Sequence, residues 1–215
     1  MDEALAHLRG ADPVLARLLD EQGPPDLTRD ASRPAPGDHY AALVRSIAGQ
    51  QLSVVAARSI YRRLGEFFGG HTPSPEEVLA ADPDEMRVAA GLSHAKTRSL
   101  SSLAEHVVSG ELALDRLDAL DDDEVMADLV AVKGIGPWSA HMFLMFQLDR
   151  PDVLAVGDLG IRRAVERAYG LDALPTPVEL TALAEPWRPY RTTACRILWH
   201  WLGNTPVQRP GPAPV

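Results

Sequence analysis

Apolar residues recur at helical spacing along most of the chain, and no stretch keeps the two-residue alternation of a half-buried strand. The pattern predicts helices over residues 5–19, 39–49, 53–68, 75–80, 83–90, 93–109, 121–132, 137–148, 159–169, 177–185 and 190–202. Three of them begin with a hydroxyl or carboxylate side chain followed by an early acid: Thr72-Pro-Ser-Pro-Glu-Glu, Asp121-Asp-Asp-Glu124 and Thr176-Pro-Val-Glu179. Such starts satisfy orphan amides and suit the helix dipole, so the acidic run at 121–124 reads as a solvated first turn. Residues 21–38, rich in Pro, Asp and Gly, read as an irregular connector. The tail from Asn204, with Pro206, Pro210, Pro212 and Pro214, is expected to be disordered. The prediction is an all-α protein without internal repeats.

Two local features bear on chemistry. Val125, Leu129 and Val132 continue a helix that Gly134-Ile135-Gly136 cannot prolong, and Pro137 suits the first turn of a second helix. This helix, hairpin, helix pattern removes side chains where a sugar-phosphate strand could approach, and it aims helix-terminal amides at that place. Such a contact would position a duplex without reading its sequence. A tight turn between two helices, with glycine there for geometry alone, explains the same residues. The second feature is Asp158, which follows a loop and precedes an apolar-periodic run. It is an N-cap candidate, and the same placement stabilises a carboxylate that could oppose developing positive charge.

Together these residues resemble the helix-hairpin-helix (HhH-GPD) DNA glycosylase superfamily, and within it the 3-methyladenine DNA glycosylase II type. The resemblance is carried by Arg45-Ser-Ile-Ala-Gly-Gln-Gln-Leu-Ser53, Gly91-Leu-Ser-His-Ala-Lys96, Lys133-Gly-Ile-Gly-Pro-Trp-Ser-Ala140, Met142-Phe-Leu-Met-Phe146, Arg150-Pro-Asp-Val153, Asp158-Leu-Gly-Ile-Arg-Arg163, and Trp187-Arg-Pro-Tyr-Arg191 with Trp199. It implies an all-α fold of two helical modules flanking a base-binding cleft. One module spans 40–145 and holds the wedge loop and the hairpin; the other joins 1–39 to 146–204 and carries Asp158; 205–215 form the tail. It further implies base excision repair of alkylated purines, of the 3-methyladenine and 7-methylpurine kind, flipped from duplex DNA because the target bond is inaccessible within the stack. Asp158 would stabilise the oxocarbenium-like sugar or activate water.

The remaining roles are also implied by the resemblance. Trp138, Trp199 and Met142 would wall the base pocket, where π faces attract a cationic N-alkylpurine. Gln51 or Leu52 would wedge into the gap left in the duplex. Lys133, Gly134, Ile135, Gly136 and Lys96 would meet the DNA backbone, with Arg98 beside them. A monovalent cation, Na+ or K+, is expected on the main-chain carbonyls of Val130, Val132 and Ile135, with no other cofactor required. Trp138 stands where bifunctional relatives place a Schiff-base lysine, which implies a monofunctional hydrolase that leaves the abasic site uncut. His141 stands where many relatives have an acid and Met142 where some have a stacking aromatic, which bears on lesion range. His141 is assigned no catalytic role.

Composition narrows the picture further. Cys195 is the only cysteine, so neither a four-cysteine iron-sulfur cluster nor an intramolecular disulfide fits. The formal net charge of −9 runs against DNA binding until it is divided. Residues 1–130 hold 12 Lys/Arg against 23 Asp/Glu (−11), whereas 131–215 hold 9 against 7 (+2). No apolar stretch approaches a membrane span, and Met1-Asp2-Glu3-Ala4 lacks secretory features, so a cytoplasmic monomer working on the bacterial nucleoid is the expectation. Three rival readings remain open: a non-catalytic hairpin module that binds DNA structure, a glycosylase for deaminated or oxidised bases, and a protein-binding helical bundle.

Overall fold

The computed structural model describes residues 2–28 and 33–204; the expected tail at 205–215 lies outside the described residues. In chain order the helices are α1 (Asp2–Ala11), α2 (Pro13–Gln22), α3 (His39–Gly49), α4 (Val54–Phe67), α5 (Pro75–Ala80), α6 (Pro83–Ala90), α7 (His94–Ser109), α8 (Asp122–Ala131), α9 (Pro137–Phe146), α10 (Leu159–Tyr169), α11 (Pro177–Leu183) and α12 (Arg191–Asn204). Single 3-10 turns add Leu114–Arg116 and Glu185–Trp187, and no strand occurs among the described residues. The helix predicted over 5–19 is two helices. Asp12 caps α2 and Pro13 occupies its first turn, where a missing N–H costs nothing, whereas a continuous helix would set the proline ring against the preceding turn.

The chain divides into two units, Met1–Thr28 with Pro151–Val215, and Arg29–Arg150. The crossings lie outside the expected 40–145 module because its flanks bond to it. Gln147 Nε2 donates to the Ala35 carbonyl at 3.1 Å. Arg150 Nη2 donates to the carbonyls of Leu117, Asp118 and Leu120 at 3.3, 3.1 and 2.8 Å.

In the 29–150 unit, α3 packs on α4, α7 and α9, α5 on α7, α4 on α6, and α8 on α9. Leu43, Val44 and Ile47 of α3, Leu100 and Leu103 of α7, and Val125 and Leu129 of α8 are fully buried or nearly so. Asp or Ser side chains cap α3 to α8, and capping boxes join Ser74 to Glu77 and Asp121 to Glu124. Among the described residues no helix is long and apolar enough to cross a membrane.

In the other unit α12 packs on α10 and α2, and α1 on α2. Ala194, Cys195, Ile197 and Leu198 supply the buried face of α12, matched by Leu15, Leu18 and Leu19 of α2 and Ile161, Ala164 and Val165 of α10. Asp12, only 6% exposed, organises this core. Its Oδ1 accepts from the Val14 and Leu15 amides at 2.8 and 3.2 Å. Its Oδ2 accepts from Tyr169 Oη at 2.5 Å and from the fully buried Trp187 indole at 2.7 Å. Asp12→Ala therefore removes a cap and orphans a buried and a half-buried donor, and should destabilise the protein by about 3 kcal/mol in urea unfolding. A loss below about 1 kcal/mol, the value of a cap alone, would show that the two long-range bonds add nothing.

Candidate functional site

The hairpin begins where α8 ends at Ala131, with the Val132 amide donating to the Leu129 carbonyl at 3.2 Å. The Ile135 amide then closes a turn onto the Val132 carbonyl at 3.0 Å, and the Ile135 side chain is buried. Ile135 is thus an anchor of the turn through its side chain and amide. Gly134 has φ +91°, and a Cβ there would stand 2.0 Å from Ser99 Oγ of α7, so glycine is required twice over. Gly136 differs: a Cβ there would meet nothing within 4 Å, so its bare backbone borders open space. Lys133 is exposed, and its amide donates to Ser102 Oγ at 3.3 Å. Gly136 is also the N-cap of α9 and brings no side chain to its amides, in contrast to the Asp, Ser and Thr caps of α2 to α8, α10 and α11. The start of α9 therefore presents backbone N–H groups beside an open approach, the arrangement that receives a phosphate oxygen.

The loop Gln50–Ser53 is fastened to this hairpin. Gln50 Nε2 donates to the Gly134 carbonyl at 2.8 Å and lies 3.4 Å from Ser139 Oγ. Lys96, expected at phosphates, points elsewhere: its Nζ donates to the Ala48 carbonyl at 2.8 Å, and burial pulls its pKa down. It holds the last turn of α3 just before the loop. Gln51 has φ +58°, a left-handed conformation unusual for a residue with a side chain, and Ser53 caps α4. The result is an outward knuckle in which Gln51 and Leu52 are exposed, continued by Val54 and Val55 at 66% and 79% exposure.

Behind the knuckle a groove of about 450 Å³ brings Gln51 and Leu52 together with Trp138 and Met142. Trp138 is 47% exposed while Met145, on the same helix, is buried, so the stripe Trp138, Met142, Met145 runs from the groove into the core. His141 is half-buried, and burial lowers its pKa, which keeps the imidazole neutral at pH 7. The groove also holds Arg33, Arg45, Arg58 and Arg62, which were not singled out as site residues from the sequence, and no acid among the described residues that line it. The Arg33 guanidinium lies 4.3 Å over the Phe146 ring. A signal for part of this existed: Arg58, Tyr61 and Arg62 share one face of α4 at i, i+3, i+4 spacing. The net charge of −11 over residues 1–130 masks it, because that span includes acids of both units that do not line the groove.

Asp158 and Trp199 are brought together in the other unit. Asp158 caps α10, its Oδ1 accepting from the Ile161 amide at 2.8 Å and from the Trp199 indole N–H at 2.9 Å. Both residues are part-exposed. Gly160 makes room for this pair, since a Cβ there would stand 3.0 Å from Asp158 Oδ1 and 3.3 Å from Trp199 Nε1. Trp199 therefore orients the carboxylate, a contact that spacing along the chain did not suggest. Beneath them Cys195 is fully buried, and burial pushes its thiol up to about 12, with the Asp158 charge adding to the effect. Among the described residues no cluster of three His, Cys, Asp or Glu could hold a metal ion.

Comparison with known proteins gives a consistent result. The family model "HhH-GPD superfamily base excision DNA repair protein" matches residues 44–189. DNA-3-methyladenine glycosylase 1 of Schizosaccharomyces pombe is 34% identical over 201 residues, which cover 93% of this chain and 86% of that protein. A solved S. pombe 3-methyladenine DNA glycosylase in complex with abasic DNA matches with a TM-score of 0.77 at 33% identity, over 92% of this chain and 95% of that one. A DNA-3-methyladenine glycosidase from Bacillus halodurans gives 0.78 at 33% identity, over 94% and 89%. The 8-oxoguanine glycosylase/lyase of Clostridium acetobutylicum bound to duplex DNA, at 15% identity and a TM-score of 0.70 over 93% and 68%, shares the fold alone.

Two outcomes check this geometry. Gly134→Ala should lower stability by about 3 kcal/mol in urea unfolding through the Ser99 clash and the positive φ, and Ser99→Gly should restore only part of it because the φ strain persists. Full restoration would show that the clash alone demands glycine. Cys195, protonated at pH 8, should resist iodoacetamide in the native protein and react once urea unfolds it; rapid native labelling would contradict its burial.

Proposed function

Because the chain belongs to the HhH-GPD superfamily of base excision DNA repair proteins, we propose that it is a monofunctional DNA glycosylase releasing alkylated purines from duplex DNA. The observation that carries the reading is Asp158, a helix-capping carboxylate held by two N–H donors on a part-exposed surface, in a chain whose 3-methyladenine glycosylase relatives match it nearly end to end. Fold similarity alone does not choose the lesion, since the 8-oxoguanine enzyme shares the fold. The relatives above 30% identity named as 3-methyladenine enzymes support the alkylated class.

The chemistry follows from the leaving group. An N-alkylated purine is cationic and departs neutral, so no general acid is required to protonate it. As the glycosidic bond lengthens, positive charge moves onto the sugar. A fixed carboxylate at Asp158 stabilises that charge and orients the water that adds to the sugar carbon, its proton passing to solvent. The 29–150 unit handles DNA. Gly136 and the first amides of α9 receive a phosphate, Lys133 adds charge nearby, and the Gln51–Leu52 knuckle enters the stack while Trp138 and Met142 offer faces to an extruded base. The family resemblance implies a monovalent cation at the end of α8, where helix-terminal carbonyls lack amide partners; the carbonyls of Val130, Val132 and Ile135 would hold it, and it would supply positive charge to the same phosphate. With Trp138 where a lysine nucleophile would stand, the product is an intact strand bearing an abasic site.

The test is single-turnover release of 3-methyladenine and 7-methylguanine from methylated duplex DNA, alongside uracil, hypoxanthine and 8-oxoguanine substrates. Wild-type protein should release the methylated purines fastest and leave the strand uncut. Asp158→Asn should slow release by a factor of about 100 or more while keeping affinity for an abasic-site duplex. Undiminished excision by this variant would remove Asp158 from the mechanism, and faster release of 8-oxoguanine would move the protein to the oxidised-base class.

A further inference from the structure

The Asp158 carboxylate sits at the end of a loop, Pro151–Gly157, that has no regular structure of its own, and one face of α12 binds this loop along its length. At the loop's start Arg191 makes a two-pronged ion pair with Asp152, Nε to Oδ1 at 2.7 Å and Nη2 to Oδ2 at 3.0 Å. Nη2 also donates to the Asp152 carbonyl at 2.7 Å, and the Arg191 amide donates to Asp152 Oδ1 at 3.3 Å. Asp152 thus caps α12 from outside while the guanidinium grips its backbone. One residue on, Thr192 Oγ1 accepts from the Val153 amide at 3.1 Å and the Thr192 amide donates to the Pro151 carbonyl at 3.0 Å. A turn later Cys195 Sγ reaches the Val153 carbonyl at 3.9 Å, and a turn after that Trp199 donates to Asp158.

Positions 191, 195 and 199 lie on one helical face, so the contacts follow a straight track about 12 Å long. The loop's register against that track fixes where Asp158 stands. The Trp199 bond alone cannot set it, because a single hydrogen bond leaves the loop's path undetermined. The ion pair, with the two Thr192 bonds beside it, fixes the other end. Its side chains are only 13% and 21% exposed, so solvent screens it weakly, and its planar fork resists rotation. Arg188 also reaches Asp152 Oδ2, at 2.7 Å, but from a half-exposed side chain.

We propose that Arg191 and Asp152 are a positioning pair for the catalytic carboxylate, setting the register of the 151–158 loop on α12 and acting on the reaction only through Asp158. The inference rests on the reading of Asp158 given above. Arg191→Lys keeps the charge and loses the fork. In single-turnover release of 7-methylguanine it should be slower than wild type by a factor of about 10, with affinity for a duplex containing a tetrahydrofuran abasic analogue unchanged within about twofold. Added to Asp158→Asn, the same substitution should cost nothing further, a non-additivity that general loosening of the unit would not produce. Should Arg191→Lys melt below the assay temperature, Asp152→Asn, which removes the charge but keeps an oxygen for the Arg191 amide, is read in the same way. Wild-type rates in the foldable variant, or a tenfold loss that persists in the Asp158→Asn background, would overturn the proposal. Retained activity in Asp158→Asn alone would instead overturn the reading on which it rests.

Discussion

A carboxylate meant to oppose a fleeting positive charge is effective only if it is already in place when the charge appears, because reorganising it during the reaction adds to the barrier. On the role proposed for Asp158, that constraint falls on a short irregular loop. The loop lies on a rigid ruler: α12 is packed against α10 and α2 through a largely apolar face, with Trp201 donating to Glu21 of α2 at 3.0 Å, and other positions of α12 present Arg191, Thr192, Cys195 and Trp199 to the loop. Behind the ruler stands Asp12, whose carboxylate ties the junction between the end of α1 and the start of α2 to Tyr169 at the end of α10 and to Trp187 just before α12. Stability in this unit is thus concentrated around the elements that set the position of Asp158.

The 29–150 unit solves a different problem, that of approaching a polyanion with a chain whose formal net charge is −9. It does so by local arrangement. Backbone amides at an uncapped helix start, a bare glycine and an arginine-lined groove without described acids make a surface whose character is unlike that of the whole chain. Gln50 fastens the knuckle to the hairpin and Lys96 fastens it to α7, so the apolar residues that stand out to solvent do so on a braced turn. Exposed apolar side chains on a braced turn are suited to insertion, because little conformational freedom is lost when they enter a base stack.

What the sequence disclosed and what it withheld divide along physical lines. Capping chemistry is local, so Ser74, Asp121, Thr176 and Asp158 could be placed at helix starts from a few neighbouring residues. The hairpin was legible for the same reason. Asp12-Pro13 carried an equally local signal, a cap followed by proline, but the unbroken apolar periodicity around it concealed the break. The bonds from Trp199 to Asp158, from Arg191 to Asp152 and from Lys96 to Ala48 join residues 41, 39 and 48 positions apart, and no spacing rule spans such distances. At Trp199 the resemblance implies a stacking face, and the structure adds a donor that orients the acid.

The measurement that tests the account most directly compares wild-type protein with Trp199→Phe in single-turnover release of a methylated purine, since phenylalanine keeps an aromatic face and lacks the indole N–H. Wild-type protein should release the base, the variant should do so more slowly by a factor of about 10, equivalent to one charge-assisted hydrogen bond, and both should bind abasic-site DNA with equal affinity. Equal rates in the two proteins, or no release by either, would contradict the account.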